Sequence, residues 1–323
     1  MAERAVEVKK ASLRKAYGET LAELGEQDER IVVLTGDLAG STYTKLFAER
    51  FPERFIDAGV AEANMFGVAA GLAMAGKRPF ASTFVIFTEK AFEQIRQVIA
   101  YPKVPVRIVA THGGITVGPD GASHQTVSDI AVFRALPNMT VIVPADAEET
   151  RAVTRFVASY DEGPVFVRLA RASFPVVFEG GVEFELGRAR LIRSGKDVSL
   201  FACGLMLYQA LAAAELLAEE GIEAEVINVS TIKPLDVETI VSSAAKTGAA
   251  VTAEEHSILG GLGGAIAEVL AEHHPVPLRR VGIRDQFGQS GQAEELVEHY
   301  GLTPERIAAA AKEAIAAKEA GRR

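Results

Sequence analysis

IDAGVAEANMFGVAAGLAMAG, residues 56–76, is the stretch from which the rest of the chain can be read. A short apolar strand at Phe55 and Ile56 passes through a Gly-Val turn into a helix that opens on Glu62. Met65, Val68 and Leu72 fall at i, i+3 and i+7, so one face of this helix is predicted to be apolar. Gly67, Ala69, Ala70, Gly71, Ala73 and Ala75 leave its sides nearly bare, which lets another backbone come close. A carboxylate at the mouth of such a helix is partly desolvated, which disfavours its charged form and prepares it for proton chemistry. Read alone, Glu62 is more simply a first-turn glutamate favoured by the helix dipole. The stretch is long enough to cross a bilayer, but Glu62 and Asn64 lie inside it, and Ala and Gly replace Leu and Ile poorly in lipid. A membrane span is therefore not expected.

At 323 residues, 48% of them hydrophobic, the chain can bury two cores. A net charge of -9 argues against sequence-independent nucleic-acid binding, which relies on clustered cations. The single cysteine, Cys203, excludes an internal disulfide, and no Cys/His spacing suggests zinc or another metal site. The start, MAERAVEVKK, has no apolar signal core, so a cytoplasmic location is expected.

Residues 9–25 read as an amphipathic helix with Leu13, Tyr17, Leu21 and Leu24 on one side. Ile31 to Leu34 form a buried apolar run ending at Thr35-Gly36-Asp37, the kind of strand end where open α/β sheets contact ligands. Strands near 79–84, 106–111, 139–143 and 165–169 alternate with helices near 88–100, 127–136 and 146–158, which implies a parallel sheet covered on both faces. The segment PVVFEGGVEFELGRA, 175–189, lacks helical period and reads as a connection between domains. Beyond it, strands near 197–202, 222–228, 248–253 and 277–281 alternate with helices near 206–220, 236–245 and 261–273. The expected fold is α/β: two consecutive doubly wound domains with mostly parallel sheets, 1–178 and a smaller Rossmann-like 191–323, joined by a linker at 179–190. GGLGGAI, 260–266, half-matches a dinucleotide fingerprint, but it sits late in its domain and no acidic ribose reader follows convincingly. Its glycines are better read as allowing tight helix packing. Residues 303–320 read as a solvated terminal helix.

TGDLAGST (35–42), GVAEANM (59–65), PFASTFVIF (79–87), ATHGGITVGPDGASHQ (110–125) and LPNMTVIVPAD (136–146) resemble, in order and spacing, the pyrimidine-binding domain of thiamin diphosphate enzymes of the transketolase family. VSLFACG (198–204), EEHSILGGLGGAIAEVL (254–270) and RDQFGQSG (284–291) resemble the family's carboxyl-terminal domain.

The resemblance assigns roles that the residues alone leave open. Glu62 would share a proton with the pyrimidine ring of thiamin diphosphate, Asp37 would lie near its thiazolium side, and Phe87 would stack on the aminopyrimidine with Phe84 lining the same pocket. Where the family often has an aromatic, this chain has Lys90. His112 and His124 would bind donor oxygens or shuttle protons near neutral pH, Asp120 would accept a bond from a sugar hydroxyl, and Arg171 would hold the substrate phosphate. The bland readings are core rings, structural histidines, a turn cap at Asp37 and a surface salt bridge at Arg171.

The family's diphosphate-binding domain carries Gly-Asp-Gly followed at a distance by Asn. Here Leu38 follows Gly36-Asp37 where a glycine is needed, and Asn64 beyond it already belongs to the glutamate turn, while Asn138 follows Pro119-Asp120-Gly121 too soon. The resemblance therefore implies the carboxyl-terminal subunit of a split transketolase. Its partner would be an N-terminal diphosphate-binding subunit that mainly holds magnesium (or calcium), and the chain's own dimer would build a heterotetramer acting on sugar phosphates. A deoxyxylulose-phosphate synthase-like subunit, the beta subunit of a 2-oxoacid dehydrogenase, a non-catalytic scaffold and a dinucleotide-binding protein are the alternatives.

Overall fold

Ile31–Thr35 has no polar alternation and is buried along its whole length, as a strand covered on both faces requires. Val32 and Leu34 enter one core while Ile31 and Val33 enter another on the opposite side. The structure, a computed structural model, describes residues 9–321. In chain order its strands are β1 (Lys10–Ser12), β2 (Ile31–Thr35), β3 (Phe55–Asp57), β4 (Arg78–Ser82), β5 (Arg107–Ala110), β6 (Thr140–Ile142), β7 (Val165–Arg168), β8 (Ser173–Pro175), β9 (Arg190–Arg193), β10 (Val198–Ala202), β11 (Ala224–Asn228), β12 (Thr231–Lys233), β13 (Ala250–Ser257) and β14 (Leu278–Ile283).

A seven-stranded sheet has the order β12-β6-β7-β5-β4-β2-β3, and a five-stranded sheet the order β14-β13-β10-β11-β9. All neighbours in them are parallel except the edge pairs β12–β6 and β9–β11. The fold is thus α/β with two mostly parallel sheets, as expected. Less expected is β12, which follows the second sheet's β11 in the chain but completes the first sheet. Lys233 at its end reaches across to the carbonyls of Arg134 and Leu136.

Four elements differ from the sequence reading, each for a local reason. The first helix is Leu13–Gln27 rather than 9–25, because Lys10–Ser12 pairs with β8 and the Ser12 hydroxyl accepts from Lys15 N at 3.3 Å as the cap. The helix expected at 88–100 is divided into Val85–Lys90, Phe92–Gln94 and a π-helical turn, Ile95–Ala100. The terminal helix Pro304–Ala320 is not simply solvated: Ile307, Ala308, Ala310, Ala311 and Ala314 are buried in the second core. Within Glu62–Met74 the buried face is Glu62, Met65, Phe66, Ala69 and Ala70, whereas Val68 is 37% exposed. The Phe66 ring enters the core and rotates the apolar face away from the expected Met65-Val68-Leu72 line. A Cβ added at Gly67 or Gly71 would meet nothing within 4 Å, so no backbone of the described chain lies against these glycines.

Asp146 ties the start of its helix to the end of the first domain. One carboxylate oxygen caps the helix Ala147–Ser159 by accepting from Glu149 N at 2.8 Å, and the other accepts from Val177 N and Phe178 N, each at 2.8 Å. The glycines of GGLGGAI serve packing, as read. The Glu254 carboxylate accepts from Leu262 N and Gly263 N at 2.7 and 2.8 Å, and a side chain at Gly261 would overlap that carboxylate. The start of this helix is filled by the chain's own anion, where a pyrophosphate would have to sit. Among the described residues no helix is long and apolar enough to cross a membrane.

Candidate active site

Two turns at the ends of β2 and β3 create the setting for Glu62. Asp37 adopts a left-handed conformation (φ 60°), and Asp57 Oδ1 accepts from both Asp37 N and Gly59 N at 2.9 Å. This shared acceptor draws the turns together. A Cβ on Gly36 would come 3.3 Å from Gly59 O and 3.6 Å from Glu62 Cγ, so glycine is what permits the approach. Glu62 opens its helix and is 2% exposed. Its Oε2 lies 3.5 Å from the Lys90 ammonium, whose side chain is 67% exposed. Asp37 itself has an exposed side chain, and it is tied to this turn by its backbone N–H, which donates to Asp57.

The aromatic residues come from the chain beyond β4. Thr111 O accepts from Val85 N at 2.7 Å, which holds Phe84 against the end of β5. The Phe84 ring lies parallel to Phe87, with centroids 5.6 Å apart and planes 6° from parallel, and on its other neighbour, His112, at 3.6 Å. His124 meets both phenylalanines edge-on, at 6.5 and 5.9 Å. Phe84, Phe87, His112 and His124, read from separate motifs, are therefore one cluster. Phe84 is buried, while Phe87 and His124 are partly open to solvent.

His112 is held in a left-handed conformation (φ 64°), with Nδ1 2.8 Å from Thr111 Oγ1. Burial, reinforced by the guanidiniums of Arg14 and Arg171 and by His124, pushes its pKa down to about 3. The ring is neutral at neutral pH. Of the two roles expected of it, binding donor oxygens or shuttling protons, a neutral imidazole favours the first. His124 places Nδ1 3.0 Å from Ser123 Oγ.

Arg171, just after β7, donates from NH1 to Val117 O at 2.5 Å and lies 3.9 Å from Asp120 Oδ1, so it sits against the loop that leads to His124. Arg14, which the sequence reading missed, lies beside it. Its NH2 donates to Arg171 O at 3.0 Å, its NH1 to Ser41 O at 2.6 Å, and its Nε is buried with no hydrogen-bond partner among the described residues. Burial depresses the Arg14 pKa. A single arginine on an amphipathic helix carries no local signal, and only the fold brings it to this loop. Asp57 was missed for the same reason. Among the described residues no group of three or more His, Cys, Asp or Glu side chains is placed to hold a metal ion.

Known proteins place this arrangement in a family. Residues 9–176 match the family model "Transketolase, pyrimidine binding domain" and residues 187–307 match "Transketolase, C-terminal domain". The 6-deoxy-6-sulfo-D-fructose transketolase subunit SqwH of Clostridium sp. is 46% identical over 93% of this chain and 94% of its own length. An apulose-4-phosphate transketolase subunit of Phocaeicola vulgatus is 40% identical over 94% of this chain and 97% of its own. A solved structure described as a split gene transketolase, inactive beta4 tetramer, is 51% identical, covers 95% of this chain and 99% of that one, and superposes with a TM-score of 0.89. The chain, with its pyrimidine-binding and carboxyl-terminal domains in that order, belongs to the transketolase family.

Proposed function

We propose that the chain is the carboxyl-terminal subunit of a two-subunit transketolase and transfers a two-carbon ketol unit from a ketose phosphate to an aldose phosphate. Activity requires an N-terminal subunit that holds the diphosphate and its magnesium or calcium. The observation that carries this reading is the Glu62 carboxyl, 2% exposed at the mouth of a helix whose Gly67 and Gly71 face open space. The residues present fit one end of thiamin diphosphate: the partly open Phe87 ring, parallel to Phe84, offers a flat apolar wall to a pyrimidine, and the buried Glu62 carboxyl offers a hydrogen-bonding partner for its ring nitrogen. No Gly-Asp-Gly with a distant Asn is present for the other end.

When bound, thiamin diphosphate supplies the nucleophilic carbon and the electron sink that ketol transfer needs. Glu62 holds and passes the proton at a pyrimidine ring nitrogen, sheltered from water by its burial. Phe84 and Phe87 hold that ring in place and exclude solvent. Neutral His112 hydrogen-bonds a sugar oxygen, His124 moves a proton at the donor hydroxyl, and Asp120 accepts from a further hydroxyl. Arg171, with Arg14 beside it, binds the sugar phosphate through directed N–H groups. Asp37 would lie near the thiazolium side, as the family resemblance implies. We assign 1–178 to the pyrimidine-binding domain, 191–323 to the carboxyl-terminal domain and 179–190 to the linker between them, and we place the protein in the cytoplasm.

The solved relative's description as an inactive beta4 tetramer supports self-association without turnover, and we take a heterotetramer with the partner as the working form. Purified alone, the chain is expected to self-associate without transferring ketol groups; mixed with the diphosphate-binding subunit, magnesium and thiamin diphosphate, it is expected to transfer them. Full ketol transfer by the chain alone would overturn the split-site reading. A 1-deoxy-D-xylulose-5-phosphate synthase of Thermosynechococcus vestitus is 38% identical over 93% of this chain and 48% of its own length, so pyruvate belongs in the same assay as the competing donor.

A further inference from the structure

The loop Gly113–Ser123, which carries Asp120 and runs into His124, is braced from outside its own sheet. Its glycines at 114, 118 and 121 all have positive φ (81°, 80° and 74°). Each abuts a residue from the second half of the chain. A side chain at Gly114 would overlap the Glu255 carboxylate, one at Gly118 would come 3.3 Å from Gly291 O, and one at Gly121 would come 2.5 Å from Ser290 Oγ. Glu255 is itself anchored: its Oε1 accepts from Thr116 N at 2.8 Å and its carbonyl accepts from Arg168 NH2 at 2.9 Å. Arg168, at the end of β7, also donates to Asp129 at 2.7 Å.

Gln125 closes this brace. It is 4% exposed, and its Nε2 lies 3.2 Å from Ile115 O, 3.2 Å from Gly118 O and 2.9 Å from Gln289 O. One amide group thus spans both ends of the loop turn and the segment RDQFGQSG, 284–291. Gly288 is the counterpart: a Cβ there would overlap Gln125 Oε1, although the Gly288 backbone lies outside the left-handed region and would otherwise accept alanine.

We propose that the segment 284–291, acting through Gln125, is the mould that sets the substrate loop, and that Gln125 is a positioning residue for donor binding. The kinetic consequence rests on the ketol-transfer reading above, whereas the order of the loop does not. A packing role confined to stability would lower the unfolding temperature without separating donor binding from turnover. A positioning role moves Asp120, which lies in the braced turn, while leaving Glu62 and the aromatic wall in place.

The test uses Gln125→Ala, Gly288→Ala and the double variant of the full chain, alone and assembled with the diphosphate-binding subunit. Amide hydrogen exchange at residues 114–121 is expected to quicken about tenfold in each, with exchange in Ile31–Thr35 unchanged. In the assembled enzyme KM for the ketose phosphate is expected to rise about tenfold, with kcat within about threefold and thiamin diphosphate affinity unchanged. The double variant should be no worse than Gln125→Ala, because removing the Gln125 amide removes the overlap that Gly288→Ala creates. Unaltered loop exchange in both single variants, an unaltered KM in an active assembly, or additive effects in the double variant would each overturn the proposal. If Gln125→Ala does not fold, Gly288→Ala alone decides by the same exchange and KM readings. A native assembly with no ketol transfer would instead defeat the functional reading, and loop exchange would still decide whether the brace exists.

Discussion

Phe84 lies face to face with His112, the ring centroids 3.6 Å apart and the planes 20° from parallel. The pair joins the apolar wall for the cofactor ring to the first histidine of the sugar-facing loop. The stacked ring helps to bury the imidazole, and burial is the main cause of its low pKa.

That low pKa makes stability depend on pH. The native His112 titrates near 3, below the 6.5 of an unperturbed histidine. Between those values the unfolded chain binds a proton that the native state does not, so the contribution is complete above pH 6.5 and is lost as pH falls toward 3. Lowering the pH from 6.5 to 5 is expected to cost about 2 kcal/mol through this residue. Urea unfolding at several pH values should show that His112→Gln removes this part of the slope, and an unchanged slope would contradict it.

Glu62→Gln keeps the shape of the side chain and removes the acid. Ketol transfer by the assembled enzyme is expected to fall by about 100-fold or more, with assembly and unfolding midpoint preserved. Activity within a few-fold of native would remove Glu62 from the chemistry.

Arg171→Ala and Arg14→Ala each remove a cation beside the loop. KM for a phosphorylated donor is expected to rise about 10- to 100-fold, and for the same sugar without phosphate much less. Because both guanidiniums help to depress His112, its pKa should climb in either variant while staying below 6.5, burial being the larger cause. An NMR titration of His112 reads this independently of activity.

Gly67→Leu tests the open side of the Glu62 helix. A Cβ at this position meets nothing within 4 Å in the chain itself, and replacing a mid-helix glycine is expected to stabilise the helix by about 1 kcal/mol. If the partner subunit or a second copy closes on this side, the variant will melt higher and fail to assemble. Sizing and thermal unfolding together decide it.

The order of strands and helices was legible because each strand is a short apolar run with a helical stretch behind it. Ile31–Thr35 and Val198–Ala202 are buried throughout, which leaves little room for another reading. Thr231–Lys233 was not legible: it is three residues long, shows no period and gains its partner, β6, from a distant part of the chain. The burial of Phe66 in place of Val68 was equally hidden, since both are apolar and three-dimensional neighbours choose between them. At the site, motifs announced the residues on loops, while Arg14 and Asp57 became visible only once the first helix and β3 were folded against those loops. The brace at Gln125 joins a donor and an acceptor 164 residues apart in the chain, and no local pattern could expose it.

β12 has a practical consequence for anyone dissecting the molecule. A fragment cut after the linker would leave one side of β6, Thr140–Ile142, with unpaired backbone groups and the sheet with a new edge that other copies can pair with. Excising the amino-terminal half is therefore expected to yield aggregates rather than a well-behaved module, unless the excision carries Thr231–Lys233 along or replaces it with a grafted peptide.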